Sequence, residues 1–294
     1  MQIQKVTVIG AGTMGNGIAH VFAQSGFDVK LVDIKIEFLD KAYATIKANL
    51  DRQVKKGTIT QSDADATANR ISTSIDMEDA AKQADFIVEA ATENYELKKK
   101  IFATLDAHAK PGVILATNTS SISVTELAAT TKRAERVIGM HFFNPVPVMK
   151  LVEVVKTIAT DPAVYEEMVA FGAKLGKTPV RAQDSTGFIV NRLLVPYLLD
   201  AIRALEEGVG SIEDIDNSMK LGCGHPMGPL TLLDFVGLDT TYYIANIMFD
   251  EFRERRFASP PLLKRMVLAG WNGRKAGRGF YDYSDPQKPK AMKF

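Results

Sequence analysis

A histidine and a glutamate stand among apolar residues in the segment HFFNPVPVMKLVEVV, residues 141–155. If residues 144–149 join two antiparallel strands, the turn centre lies near Pro147, and His141 and Glu153 are each six residues from it. The two side chains would then form a cross-strand pair with Cβ atoms about 5 Å apart. A carboxylate bonded to one imidazole nitrogen supports positive charge on the ring and leaves the other nitrogen free to exchange a proton. The pair could therefore be a general acid and base, or it could only tie two strands together.

A glycine-rich turn near the N-terminus has the GxGxxG spacing of a dinucleotide-binding loop. Gly10 permits a tight turn, Gly12 lets the backbone approach a pyrophosphate, and Gly15 lets the following helix pack on the preceding strand. The free N–H groups at the start of that helix would face the phosphates. The residues predicted to bind the cofactor here are Gly10, Ala11, Gly12, Thr13, Met14 and Gly15.

Asp33 ends the next apolar run, VKLVDI, 23 residues after Gly10. A carboxylate at this place accepts hydrogen bonds from the adenosine ribose hydroxyls and repels a 2′-phosphate, which favours NAD over NADP. The alternative is that the glycines only make a tight turn, but the strand–turn–helix–strand order favours a nucleotide site. A hydride acceptor also suits the His141–Glu153 pair, because oxidation of an alcohol needs a base for the hydroxyl proton.

Further polar side chains follow two apolar runs, at the sheet edge where open α/β sheets bind ligands. The run 84–90 is followed by Glu93 and Lys98, whereas Lys99 and Lys100 are interpreted as solvated helix charges. The run 112–117 leads into ATNTSS, whose hydroxyl groups could hydrogen-bond a substrate oxygen or cap the helix predicted after them. The residues concerned are Asn118, Thr119, Ser120 and Ser121.

Strand and helix patterns alternate over the first part of the chain. Buried-strand patterns cover residues 5–10, 29–34, 84–90, 112–117, 136–142 and 150–155. Two helical patterns, at about 37–56 and 62–70, predict a helical hairpin inserted after the second strand. From residue 188 onward the patterns are helical with little strand between them. We therefore predict an α/β fold: a Rossmann-like, doubly wound, mostly parallel sheet over residues 1–184, and an all-helical domain over 185–294.

The bulk composition excludes several classes of protein. The chain has 294 residues and a net charge of +1, so bulk electrostatics do not indicate a nucleic-acid or membrane partner. Its single cysteine, Cys223, cannot form an internal disulfide, and its four histidines are not spaced as metal ligands. The chain has no apolar run of the ~18 residues needed to span a bilayer and no predicted targeting segment. We expect a cytoplasmic protein without a metal.

Several motifs in one order resemble a known family. GAGTMG, NTSS, HFFNPVPVMKLVEVV, DSTGFIVNRLL, GHPMGPLTLLDFVGLD and GRKAGRGFYDY together resemble the short-chain 3-hydroxyacyl-CoA dehydrogenases, in particular the bacterial 3-hydroxybutyryl-CoA dehydrogenases, over essentially the whole chain. The chain departs from the family pattern in ATNTSS, where a serine often precedes the asparagine, and in DSTGF, where a proline commonly precedes the glycine. Neither departure touches a residue that is given a chemical role.

The resemblance implies roles for individual residues. His141 matches the catalytic base and Glu153 its orienting partner. Ser120 matches the serine that contacts substrate and nicotinamide, and Asn191 the asparagine that holds the substrate oxygen. Residues that match NAD contacts, or that adjoin His141 in the same site, are Glu93, Lys98, Lys275 and Asn144.

Arg52 and Lys56 lie one helical turn apart in the predicted hairpin. They match positions that meet the phosphates of coenzyme A, whereas without the resemblance they would be interpreted as a solvated helix face. The implied reaction is NAD-linked interconversion of 3-hydroxybutyryl-CoA and acetoacetyl-CoA, in a homodimer formed through the helical domain. One rival is a dehydrogenase acting on a free acid, which offers no phosphate to Arg52 and Lys56. Another is a non-catalytic NAD-binding protein. The presence of the complete set Ser120, His141, Glu153 and Asn191 argues against this alternative.

Overall fold

The computed structural model describes residues 3–293. The chain divides into two compact units, of which the first ends at Phe188 and the second begins at Ile189. The strands of the first unit are β1 Lys5–Ile9, β2 Asp28–Val32, β3 Ile71–Ser74, β4 Phe86–Glu89, β5 Ile114–Thr117, β6 Val137–Phe142, β7 Leu151–Lys156 and β8 Thr178–Gln183. Its helices are α1 Thr13–Gln24, α2 Ile36–Lys55, α3 Gln61–Asn69, α4 Met77–Gln83, α5 Tyr95–His108, α6 Val124–Ala128 and α7 Pro162–Lys174.

The strands of the first unit form an eight-stranded sheet in the order β3-β2-β1-β4-β5-β6-β7-β8. Its first six strands have the order 3-2-1-4-5-6 of a doubly wound dinucleotide-binding sheet. In this order the chain winds outward in opposite directions from the point between β1 and β4. Neighbouring strands are parallel except β6 and β7, which are antiparallel. The predicted fold class, a mostly parallel Rossmann-like sheet, is confirmed.

The central strands are buried on both faces, as parallel strands covered by helices must be. In β4, Phe86 and Val88 pack into one hydrophobic layer and Ile87 packs into the other. This alternation explains why the sequence of β4 is a continuous apolar run rather than an alternating one. The two layers hold the carboxyl ends of the strands, and therefore the candidate site, in fixed positions.

The inserted helical hairpin is formed by α2 and α3. In α2 the buried residues are Leu39, Ala42, Ile46 and Leu50, which follow the helical spacing of the sequence. In α3 a capping box closes the first turn, because the Thr60 hydroxyl accepts from the Asp63 N–H while the Asp63 carboxylate accepts from the Thr60 N–H. The hairpin presents the C-terminal end of α2, with Arg52 and Lys56, to solvent.

Two strands of the sheet, β3 and β8, are absent from the sequence-based prediction. Both lie at the edges of the sheet. In β3 only Ile71 is buried, and in β8 only Ala182 is buried, so neither shows an apolar run. Pro179 is tolerated in β8 because an edge strand leaves one side of its backbone unpaired.

The second unit is helical, with one short addition. Its helices are α8 Val190–Glu206, α9 Ile212–Cys223, α10 Pro229–Val236, α11 Leu238–Phe252 and α12 Pro261–Leu268. An antiparallel pair that the sequence analysis did not contain, β9 Tyr281–Asp282 with β10 Lys290–Ala291, lies near the C-terminus. The buried Asp234 holds this segment on α10, since its carboxylate accepts from the N–H groups of Phe280 and Tyr281 at 2.9 Å. Among residues 3–293, no helix has the length and apolar character needed to cross a membrane.

His20 is fully buried on α1, where its Nε2 lies 3.3 Å from the Gln53 side chain of α2. Burial, together with the nearby charge of Lys177, lowers the pKa of His20 from 6.5 to about 4. The unfolded chain therefore binds a proton between pH 6.5 and about 4 that the folded chain does not, so stability falls as the pH falls through this window.

We expect this histidine to contribute a loss of up to about 1.4 kcal/mol of unfolding free energy per pH unit within that window. Urea unfolding of the wild type and of His20→Gln at neutral and mildly acidic pH measures the contribution as the difference between the two pH slopes. Equal slopes for both proteins would refute it.

Candidate active site

His141 on β6 and Glu153 on β7 face each other across the antiparallel pair of strands. The predicted register is confirmed, and the Nδ1 atom of His141 lies 2.7 Å from Oε2 of Glu153. Glu153 is fully buried and His141 is 6% exposed, so the pair is shielded from competing water. The His141 ring packs between Phe143 and Phe188, with ring centroids at 4.4 and 5.6 Å. These contacts hold the imidazole in one orientation.

The glycine turn joins β1 to α1 in the geometry that the sequence predicts. Gly10 has a φ of 101°, and a Cβ atom there would lie 2.7 Å from the Ala90 carbonyl oxygen. A Cβ on Gly15 would lie 1.7 Å from the Gly10 oxygen, so only glycine allows the helix to approach the strand. A Cβ on Gly12, in contrast, would point into space that no atom of the described chain occupies within 4 Å. The turn is therefore closely packed at Gly10 and Gly15, and it is open at Gly12.

The start of α1 fits a phosphate-bearing cofactor. Gly12 is the N-cap residue, and within residues 3–293 no side chain caps the helix there. The first N–H groups of a helix need acceptors, and a pyrophosphate supplies them together with a charge that the helix dipole favours. Asp33 stands beside this turn, where its two oxygens accept from Ala11 N at 2.6 Å and Ile34 N at 2.7 Å. A carboxylate oxygen has more than one lone pair, so both atoms retain acceptor capacity for ribose hydroxyls.

Glu93 organises the loop after β5 that carries Ser120. Its Oε1 accepts from Ser120 N at 3.1 Å, Ser121 N at 3.3 Å and the Ser121 hydroxyl at 3.0 Å, and it also accepts from the Thr119 hydroxyl. Burial opposes the charge on Glu93, but the Lys98 ammonium and these hydrogen bonds hold its pKa below the usual range. The bond to Ser120 uses the main chain and not the hydroxyl. Glu93 therefore fixes the position of the Ser120 backbone and leaves the hydroxyl group of Ser120 out of this bond.

The Lys98 ammonium is buried under the same loop. It donates to Glu89 Oε1 at 2.7 Å and to the Ala91 carbonyl at 3.2 Å, and it lies 3.3 Å from Glu93 Oε2. These three acceptors match the three protons of an ammonium group. Direct contact between Lys98 and NAD stays a prediction, whereas its support of Glu93 is a feature of the structure.

Glu89 is a site residue that the sequence analysis did not single out. It is fully buried at the end of β4, where it also accepts from the Thr117 hydroxyl at 2.7 Å and from Ala91 N at 2.7 Å. An acid at the end of the apolar run ADFIVEA was the available signal. Asn118 completes the arrangement, because its side-chain oxygen accepts from the Phe142 N–H at 2.9 Å and ties the loop after β5 to the residue beside His141.

The remaining predicted residues are divided between the two units. Asn144 is exposed in the loop after β6, and Arg52 and Lys56 are exposed at the end of α2. Asn191 and Lys275 belong to the second unit, Asn191 in the first turn of α8 and Lys275 in the exposed 3-10 helix Arg274–Ala276, where its ammonium lies 2.7 Å from Asp239. The roles of all five stay predictions.

Two family models match nearly the whole chain. The model described as the 3-hydroxyacyl-CoA dehydrogenase NAD binding domain matches residues 5–185, and the model of the C-terminal domain of the same dehydrogenase matches residues 187–283. The chain is 50% identical to a 3-hydroxybutyryl-CoA dehydrogenase of Bradyrhizobium diazoefficiens over 96% of each chain. It is 46% identical to the human mitochondrial hydroxyacyl-coenzyme A dehydrogenase, covering 96% of this chain and 91% of that one.

Solved structures give the same result. The crystal structure of (S)-3-hydroxybutyryl-CoA dehydrogenase PaaH1 from Ralstonia eutropha superposes with a TM-score of 0.92 at 46% identity, covering 97% of this chain and 100% of that one. FadB2 of M. tuberculosis superposes with a TM-score of 0.94 at 45% identity and the same coverage.

Proposed function

Because the chain belongs to the 3-hydroxyacyl-CoA dehydrogenase family and has its NAD-binding domain, we propose that it interconverts (S)-3-hydroxybutyryl-CoA and acetoacetyl-CoA with NAD. The observation that carries the proposal is the buried hydrogen bond of 2.7 Å between His141 and Glu153. The pair lies in the same unit as a glycine turn that fits a dinucleotide. A proton-transfer pair and a cofactor fold are the two parts that a hydroxyacyl dehydrogenase requires.

The geometry gives His141 a defined protonation pattern. Its Nδ1 faces a carboxylate, which only accepts hydrogen bonds, so the neutral ring carries its proton on Nδ1 and has a lone pair on Nε2. In oxidation, Nε2 takes the proton of the 3-hydroxyl group, and Glu153 stabilises the imidazolium that forms. In reduction the imidazolium returns the proton to the oxygen. When bound, a nicotinamide would supply the other half of the chemistry, which is hydride exchange with the substrate carbon.

Other residues hold the reacting oxygen and the cofactor. Ser120, fixed through its backbone by Glu93, is proposed to donate a hydrogen bond to the substrate oxygen, where developing negative charge makes such a bond most effective. Asn191 is proposed to hold the same substrate oxygen, as the family resemblance implies. Asp33 is proposed to bind the adenosine ribose and to select NAD against NADP.

The proposal is tested by following the oxidation of the reduced cofactor with acetoacetyl-CoA and with free acetoacetate, each with NADH and with NADPH. We expect turnover with acetoacetyl-CoA and NADH, and at least about tenfold lower kcat/KM with NADPH because Asp33 repels the 2′-phosphate. Absence of turnover with acetoacetyl-CoA and either cofactor would contradict the function. Equal kcat/KM for free acetoacetate would favour a dehydrogenase of free acids.

Arg52 and Lys56 are proposed to bind the phosphates of coenzyme A. We expect Arg52→Ala and Lys56→Ala each to raise KM for acetoacetyl-CoA about twofold to fivefold with little change in kcat, because an exposed charge pair contributes at most about 1 kcal/mol. The matched control is Lys47→Ala, which removes an exposed charge from the same helix at about 140° around the helix axis from Arg52.

A truncated acetoacetyl thioester without the nucleotide separates this role from a general effect on the fold. Neither variant should alter its kinetics, because the truncated substrate has no phosphate for these side chains. Equal effects on both substrates would refute phosphate binding.

The assembly and location of the protein are also part of the proposal. The second unit exposes large apolar side chains, including Leu193, Phe235 and Tyr243, which are 70%, 49% and 44% exposed in a single chain. These apolar surfaces support the expected homodimer through this unit. We propose that the enzyme works in the cytoplasm, which suits its single exposed cysteine.

A further inference from the structure

The loop between β6 and β7 joins the strand of His141 to the strand of Glu153. It is closed by its own hydrogen bonds, because the N–H groups of Val148 and Met149 both donate to the Pro145 carbonyl oxygen, at 2.9 and 3.0 Å. These two bonds restrain the loop between Pro145 and Met149. Its position therefore affects where both strands of the acid–base pair end.

Lys177 holds this loop from the side of β8. Its Nζ atom donates to the Met149 carbonyl oxygen at 2.7 Å and also to the carbonyl oxygen of Val146. The next residue, Thr178, donates its N–H to the Lys150 carbonyl at 2.6 Å. Partial burial lowers the pKa of the Lys177 ammonium. The ammonium is thus partly withdrawn from water and engaged with two main-chain oxygens of the loop.

The opposite side of the loop packs on α1, the helix that begins at the glycine turn. Val146 is buried, and a Cβ atom on Gly17 would lie 2.9 Å from the Cβ of Val146. A Cβ at that distance would force the two elements apart, so the glycine permits their close approach. The loop therefore lies between Lys177 and the proposed cofactor helix.

We propose that Lys177 is a positioning residue for the reaction: it holds the 144–149 loop against α1 and so fixes His141 relative to the helix that binds the cofactor. The inference rests on the proposed function. Lys177 acts through the loop and not on the reacting atoms. A displacement of about 1 Å between reacting groups can reduce the rate about 10²-fold, so an indirect contact of this kind has a measurable effect.

The test compares Lys177→Met, which keeps the length of the side chain but cannot donate, with Lys177→Arg, which can. Lys174→Met is the matched control, since Lys174 is exposed on α7 three residues earlier. For Lys177→Met we expect kcat with acetoacetyl-CoA and NADH to fall about tenfold or more, with both KM values within about twofold of wild type. Lys177→Arg should recover part of the loss, and Lys174→Met should match wild type.

Two readouts separate positioning from a folding defect. With NADH deuterated at the transferred hydrogen, the isotope effect on kcat should rise in Lys177→Met, because slower chemistry becomes rate-limiting. A loss of folded enzyme lowers kcat without changing the isotope effect. In cofactor-free protein, the amides of Val148 and Met149 should exchange hydrogen faster in Lys177→Met than in Lys174→Met, since the loop is less restrained.

An unchanged kcat and isotope effect in Lys177→Met would overturn the inference. If that variant does not fold, Gly17→Ala displaces the same loop from its other side, at α1, and an unchanged isotope effect there would overturn the inference, because the position of the loop would not affect the reaction. Failure of the proposed function is distinguishable, because the wild type would then not reduce acetoacetyl-CoA at all. Hydrogen exchange would still show whether Lys177 restrains the loop.

Discussion

The His141→Ala variant is expected to reduce acetoacetyl-CoA about 10³-fold more slowly than wild type, because general acid–base catalysis contributes about 10²- to 10⁴-fold. Removal of the imidazole takes away the side chain that is proposed to give a proton to the forming alkoxide. Binding of NADH should stay within about twofold of wild type, since the glycine turn and Asp33 belong to other strands and loops of the sheet. Steady-state kinetics and fluorescence titration with NADH measure the two quantities.

The matched control for this variant is His108→Ala. His108 also pairs with a carboxylate, with its Nε2 atom 3.2 Å from Glu78, but at a partly exposed position at the end of α5. Its removal should leave kcat unchanged. If His141→Ala loses NADH binding as well as turnover, the His141–Glu153 pair has a structural role instead of a catalytic one.

The Glu153→Gln variant is expected to lower kcat about 10- to 100-fold, less than the loss of the imidazole itself. The amide nearly preserves the shape of a fully buried side chain, and its oxygen can still accept from Nδ1. It removes the negative charge that stabilises the imidazolium, and a hydrogen bond to a charged group contributes about 1.5–3 kcal/mol. If the activation free energy rises by this amount, the rate falls about 10- to 100-fold.

Glu166→Gln provides the comparison for Glu153→Gln. Glu166 is exposed on α7 and forms an ion pair with Arg181 at 2.6 Å, so the same chemical change is made far from any proposed role in proton transfer. Its kcat should match wild type. A Glu153→Gln variant with wild-type activity would refute the pair as the proton-transfer device.

The parts of the site that the sequence predicts are those written in short-range patterns. The facing of His141 and Glu153 follows from counting outward from Pro147, because strand side chains alternate and a hairpin fixes the register. The glycine turn and Asp33 are separated by one helix and one strand of regular length. In both cases the signal lies within one continuous segment of the chain.

The parts that the sequence does not predict depend on partners distant along the chain. Glu89 is interpretable only with Thr117 and Lys98, which meet it through neighbouring strands and a helix. The edge strands β3 and β8 lack apolar runs, because they take their hydrogen bonds from the sheet while burying little surface. The sequence places Lys98 near Glu93 at the sheet edge but does not predict its burial, which depends on the two acids, Glu89 and Glu93, that the fold brings to its ammonium group.

The central claim is that His141 and Glu153 act together as one proton-transfer pair, and a double variant tests it most directly. We would measure kcat for acetoacetyl-CoA reduction by His141→Ala/Glu153→Gln beside the two single variants. If Glu153 acts only through the imidazole, the double variant should be no slower than His141→Ala, within about twofold. A further loss of about 10- to 100-fold in the double variant, equal to the effect of Glu153→Gln alone, would contradict the claim.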